Sequence, residues 1–122
     1  MKKSKLILLF FVVTFSMNCC SKKVDVISMH EFQDKILDNK TVVLDVRTEE
    51  EYYGPLGHIE GAILIPINEL ENRLVELDEY RDDTIYVVCR SGNRSGFGKD
   101  ILNNNNFDAI NVDGGMLQWK AN

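Results

Sequence analysis

Five short apolar runs punctuate the chain, at residues 24–27, 41–45, 62–65, 84–88 and 109–112, and most segments between them place apolar residues at helical spacing. The second run is continuous enough to read as a strand buried on both faces of a parallel sheet. Between the first two, Ser28 and Glu31 form a capping-box pair, and Met29, Phe32 and Ile36 share one face of the helix it opens. Asp38-Asn39 then reads as a turn. Residues 49–53 predict a short helical turn ended by Gly54-Pro55, and Asn68 with Glu71 predicts the cap of a helix carrying Leu70, Leu74 and Leu77 on one face. After the fourth run, residues 95–102 predict a helix that Gly96 and Gly98 weaken. Asn103 to Asn106 make a turn, and residues 116–120 end the chain as a helix. This alternation predicts an α/β domain, a central, mostly parallel five-stranded sheet with helices on both faces. In such sheets ligands bind beyond the carboxyl ends of the strands.

At 122 residues, 44% apolar and 27% charged, the chain has ordinary globular usage and the length of one domain. Its start is different in kind. Lys2, Lys3 and Lys5 precede an apolar stretch, 6–15, that leads through small and polar residues to Cys19 and Cys20. That is the layout of a secretory signal peptide, and the stretch is shorter than the roughly 20 residues a membrane-spanning helix needs. The paired cysteines resemble a bacterial lipoprotein processing site, although Asn18 and Cys19 stand where Gly, Ala or Ser is usual. The expectation is a signal peptide over 1–20 and one domain over 24–122. Export would deliver it to the periplasmic or cell-envelope side of a bacterial membrane, tethered through a lipid on Cys19 or Cys20.

Removing that leader takes away three lysines and no acids, so the formal net charge moves from -5 to -8. Such acidity disfavours nucleic acid and anionic lipid as partners of the folded surface. Cys89 is then the only free thiol once the remaining leader cysteine is acylated, which argues against an internal disulfide and a dithiol oxidoreductase. His30 and His58 are the only histidines, and with no second cysteine in the domain no metal site is expected.

The chemistry concentrates in Cys89-Arg90-Ser91-Gly92-Asn93-Arg94-Ser95, directly after the fourth apolar run. Successive amides in a tight turn form an anion-binding nest, a following helix adds partial positive charge, and Gly92 permits a backbone that a side chain would penalise. Arg90 and Arg94 add charge, and Ser91 and Ser95 add hydroxyl donors. A thiol so placed should ionise more readily than a free cysteine, at about 8.5, and the thiolate is the nucleophile. The competing reading is a small buried residue at a strand end. Asp45 and Arg47 read as groups that hold loops together, His58 as one that satisfies backbone, and Trp119 as packing.

The heptapeptide resembles the active-site loop of the single-domain rhodaneses, the thiosulfate sulfurtransferase family. Leu44-Asp45-Val46-Arg47 with Glu51-Tyr52 resembles that family's first signature, and Gly57-His58-Ile59-Glu60-Gly61-Ala62 with Ile65-Pro66 its second. Gly114-Gly115-Met116 with Trp119 resembles its C-terminal one, so the match runs from about Val24 to Lys120. The resemblance implies a rhodanese-like domain and a two-step reaction that needs no cofactor. Cys89 would take the outer sulfur of a donor such as thiosulfate as a persulfide and pass it to cyanide or a thiol. Arg90, Ser91, Gly92, Asn93, Arg94 and Ser95 would form the substrate cradle, the two arginines attracting the dianionic donor. A phosphatase or arsenate reductase of related fold is one alternative, but those relatives carry a loop one residue longer than the four that Cys89 and Arg94 enclose. A persulfide carrier or binding module without turnover is the other.

Overall fold

The computed structural model describes residues 22–119; the expected leader with Cys19 and Cys20, and Lys120 at the end of the expected last helix, lie outside the described residues. Strands β1 (Val26–Ser28), β2 (Val42–Asp45), β3 (Ile63–Leu64), β4 (Thr84–Val88) and β5 (Asp108–Asp113) form one sheet in the order β1-β5-β4-β2-β3. All of its pairings are parallel, with Leu44 of β2 opposite Val87 and Asp45 opposite Val88 of β4. The connections are helices α1 (Met29–Lys35), α2 (Glu49–Tyr52) and α3 (Asn93–Asn104) and a 3-10 segment, Leu70–Tyr80, with α4 (Gly115–Trp119) following β5. Among the described residues no helix is long and apolar enough to cross a membrane.

Alternation along the strands divides the core between the two faces of the sheet. Val42, Leu44, Val46, Ile85 and Val87 pack with Leu70, Leu77 and Leu102, whereas Val43, Val88 and Val112 pack with Met29, Phe32, Tyr52 and Met116. Odd and even positions of the central strands are therefore both apolar because helices cover both faces. Ser28 ends β1 and caps α1. Its hydroxyl accepts from the Glu31 amide at 3.2 Å while the Glu31 carboxylate accepts from the Ser28 amide at 2.8 Å. A second such box, Thr48 with Glu51, opens α2.

Two local expectations are corrected. Asn68 caps no helix: the following segment has Glu69 at its cap with no side-chain hydrogen bond, winds as tight 3-10 turns, and breaks at Arg73 (φ -122°, ψ 15°). Arg73 there bridges Glu69 at 3.6 Å and Glu76 at 2.6 Å, and Leu70 and Leu77 on either side of the break are both fully buried. Helix α3 begins at Asn93 rather than Ser95 and takes in Asn103 and Asn104. Gly98 helps to seat it, since a Cβ there would lie 3.1 Å from Val87 Cγ1 and 3.3 Å from Val46 Cγ1. The missing side chain lets α3 lie close on β4 and β2.

Candidate active site

Strand β4 delivers Cys89 at its carboxyl end, where the chain turns into α3. The residue is 1% exposed and belongs to the apolar core, so the reading as a small buried residue is correct as far as burial goes. Its sulfur nonetheless meets polar partners. The Gly92 amide donates to Sγ at 3.0 Å, and the Ser95 hydroxyl lies 3.2 Å away. Burial pushes the Cys89 thiol up, but the Ser95 hydroxyl and the amides of Ser95, Gly92 and Ser91 favour the thiolate and leave the group below its ordinary value. The amino end of α3 acts in the same sense.

The amides can face the sulfur because the loop's carbonyls are held elsewhere. Met116 N–H donates to the Cys89 carbonyl at 2.8 Å, Leu117 N–H to that of Arg90 at 3.0 Å, and Asn111 Nδ2 to that of Gly92 at 3.2 Å. Gly115 (φ 55°) permits this docking of α4, since a Cβ there would collide with the Cys89 carbonyl oxygen. Gly92 (φ 114°) occupies the left-handed region that the turn requires.

Around this cradle the charged residues fall into an outer and an inner group. Arg90, Ser91 and Asn93 are exposed at the mouth. Arg94, expected to attract the donor, gives both terminal nitrogens to the Glu51 carboxylate, each at 2.7 Å. Arg94 is held above the usual arginine range by Glu51, and Cys89 contributes in the same direction. Deeper, Arg47 clasps Asp45 with Nε–Oδ1 at 3.0 Å and Nη2–Oδ2 at 2.7 Å, and donates to the carbonyls of Glu51 and Gly57. Both residues thus hold loops, as expected. His58 Nδ1 lies 3.0 Å from the Tyr52 carbonyl and its ring stacks on Tyr52 at 3.7 Å, a backbone-satisfying role. Trp119 packs against Phe32 at 6.3 Å between ring centroids.

Glu51 is the residue that reading the loop alone does not find. Its signal is the capping-box spacing from Thr48 just beyond β2, the strand beside β4. A cavity of about 330 Å³, lined by Arg47, Glu51, Pro55, Leu56 and Arg90, opens beside the loop. A larger one, of about 530 Å³, is lined by residues such as Asp38, Asn39, Gly61 and Trp119, with no cysteine among its lining residues.

A parallel α/β sheet ending in a cysteine cradled by main-chain donors defines a class of cysteine-loop proteins that handle an anion or a transferable sulfur. Within that class the assignment is specific: the rhodanese-like domain model matches residues 28–122, and the chain belongs to that family. It is 39% identical over 95 residues to the Bacillus subtilis "Putative sulfur carrier protein YrkF", covering 76% of this chain and 49% of that one. The chain thus spans about half of that relative's length. It is 34% identical over 73 residues to the thiosulfate sulfurtransferase PspE of Escherichia coli, covering 60% of this chain and 68% of PspE. The crystal structure of a rhodanese-like domain protein from Staphylococcus aureus matches with a TM-score of 0.70 at 35% identity, over 79% of this chain and 91% of the other.

Proposed function

We propose that the protein is a sulfurtransferase that moves a sulfane sulfur through Cys89. In the first step the Cys89 thiolate attacks the outer sulfur of a donor such as thiosulfate; the donor's S–S bond breaks, sulfite leaves with the electron pair, and Cys89 is left as a persulfide. In the second a thiol or cyanide takes that sulfur and the thiolate returns, so the kinetics are ping-pong. The observation that carries this reading is the pair of polar contacts on Cys89 Sγ, the Gly92 amide donating at 3.0 Å and the Ser95 hydroxyl 3.2 Å away, a donor once the thiol is ionised. Such preorganised donors stabilise an anionic sulfur without reorganisation. The likeness to PspE supports thiosulfate as a donor. Cys89→Ser should abolish thiocyanate formation from thiosulfate and cyanide while leaving the thermal midpoint nearly unchanged; undiminished thiocyanate in that variant refutes the assignment.

The likeness to YrkF supports a second reading, a carrier that holds sulfur for a partner. Mass spectrometry separates the two, because a carrier keeps a one-sulfur shift on Cys89 without repeated turnover. For the working place we propose the outer side of a bacterial membrane, supported by the lysines and apolar stretch that precede Cys19 and Cys20. Fractionation of cells with intact-mass analysis tests this, and a soluble protein retaining Met1 overturns it.

A further inference from the structure

We infer that Glu51 is a specificity-determining residue: by holding Arg94 it biases the mouth of the Cys89 site toward organic persulfides carrying one negative charge, R–S–S⁻, and against the dianion thiosulfate. The inference rests on the sulfur-transfer reading and names the donor class for that same site.

The first support is charge. The guanidinium of Arg94 meets the Glu51 carboxylate fork to fork, with both contacts at 2.7 Å. Glu51 is itself fixed, its Oε2 accepting from the Thr48 amide at 3.1 Å and the Thr48 hydroxyl at 3.2 Å. The charges of Glu51 and Arg94 therefore offset one another, and Arg90 is the loop arginine left exposed at the mouth. A thiolate meeting thiosulfate brings three negative charges together, whereas a thiolate meeting R–S–S⁻ brings two. Near a surface, where the effective dielectric constant is about 20, one extra like charge a few ångströms away is a sizeable repulsion. Specificity is the difference between the two cases.

The second support is shape and polarity. The lining of the cavity beside the loop includes an apolar pair, Pro55 and Leu56, and the charged Arg90, together with Arg47 and Glu51. An organic persulfide can lay an apolar group R against the apolar pair and its charge toward Arg90, while thiosulfate has no apolar part to bury. The chemistry balances without an oxidant or reductant. Cys89 thiolate attacks the terminal sulfur of R–S–S⁻, the S–S bond breaks, R–S⁻ leaves with the bonding pair, and the sulfane sulfur stays on Cys89.

Glu51→Gln tests the idea because glutamine also serves the third helical position of a capping box, so α2 keeps its start while the charge is lost. Rapid-quench mass spectrometry would follow Cys89 persulfide formation in wild type and E51Q, with thiosulfate and with benzyl persulfide as donors. The ratio of second-order rate constants, thiosulfate over benzyl persulfide, should rise about tenfold in E51Q. A rise of less than threefold, or a fall, overturns the inference and leaves transfer through Cys89 standing. Leu56→Ala provides an independent arm, expected to lower the benzyl persulfide rate at least threefold more than the thiosulfate rate; equal losses overturn the role of the apolar lining. Should wild type load sulfur from neither donor, the sulfur-transfer reading and this inference fall together.

Discussion

Two arginine–carboxylate pairs stand at the same end of the sheet with the same shortest distance, 2.7 Å, and they serve opposite ends. Asp45 and Arg47 are 0% and 1% exposed; the guanidinium also reaches two backbone carbonyls, so its donors stay satisfied inside the core. Glu51 and Arg94 are 29% and 34% exposed, and Arg94 feels the charge of Cys89. Separation in ångströms does not distinguish them. Burial does, because a charge left alone in the core costs several kcal/mol, whereas one at the rim is taken up by water and salt. The inner pair is a fixture, and the outer one is free to act on whatever arrives.

Arg47→Ala should break the comparison most visibly. It strands the Asp45 carboxylate and releases the carbonyls of Glu51 and Gly57, and should cost about 3–5 kcal/mol in urea denaturation, much of a small domain's stability. Arg94→Ala should cost no more than about 1 kcal/mol in the same experiment, yet slow sulfur loading from thiosulfate about tenfold. If the two variants lose equal stability, the distinction between inner and outer pair is wrong.

The smallest expected effect lies in acid. Arg94 holds the Glu51 carboxyl down to about 2, and the capping bonds from Thr48 add to this, against a value near 4.3 for an unfolded glutamate. A depressed carboxyl contributes stability above its unfolded value and loses it as pH falls through the folded one. The urea midpoint of wild type should therefore decline between about pH 4 and 2 more steeply than that of Glu51→Gln. Parallel declines would show that the outer pair adds nothing to folding.

The same contrast explains what could be read before the structure. Asp45 and Arg47 are two residues apart, and the cradle is contiguous from Cys89 to Ser95, so local chemistry exposes both. Capping at Ser28 and the buried β2 were equally legible, being properties of a few adjacent residues. Glu51 and Arg94 lie 43 residues apart and meet only because β2 and β4 are neighbours in the sheet, a fact of strand order that no local pattern contains. The break at Arg73 escaped for a similar reason: helical spacing of Leu70, Leu74 and Leu77 is compatible with two short pieces, and carboxylates on both sides of the arginine favour them. Gly98, read as a weakness of α3, is an asset once β4 and β2 lie beneath it.

Because every strand runs the same way, the polypeptide enters the sheet at one pole through β1 and presents Cys89 at the other, beyond β4. Anything fastened ahead of Lys22 would thus grip the molecule by its heel. The exposed rim of the cysteine loop, Arg90, Ser91 and Asn93, would then lie at the far pole, where a docking protein or a diffusing thiol meets it without passing the attachment point.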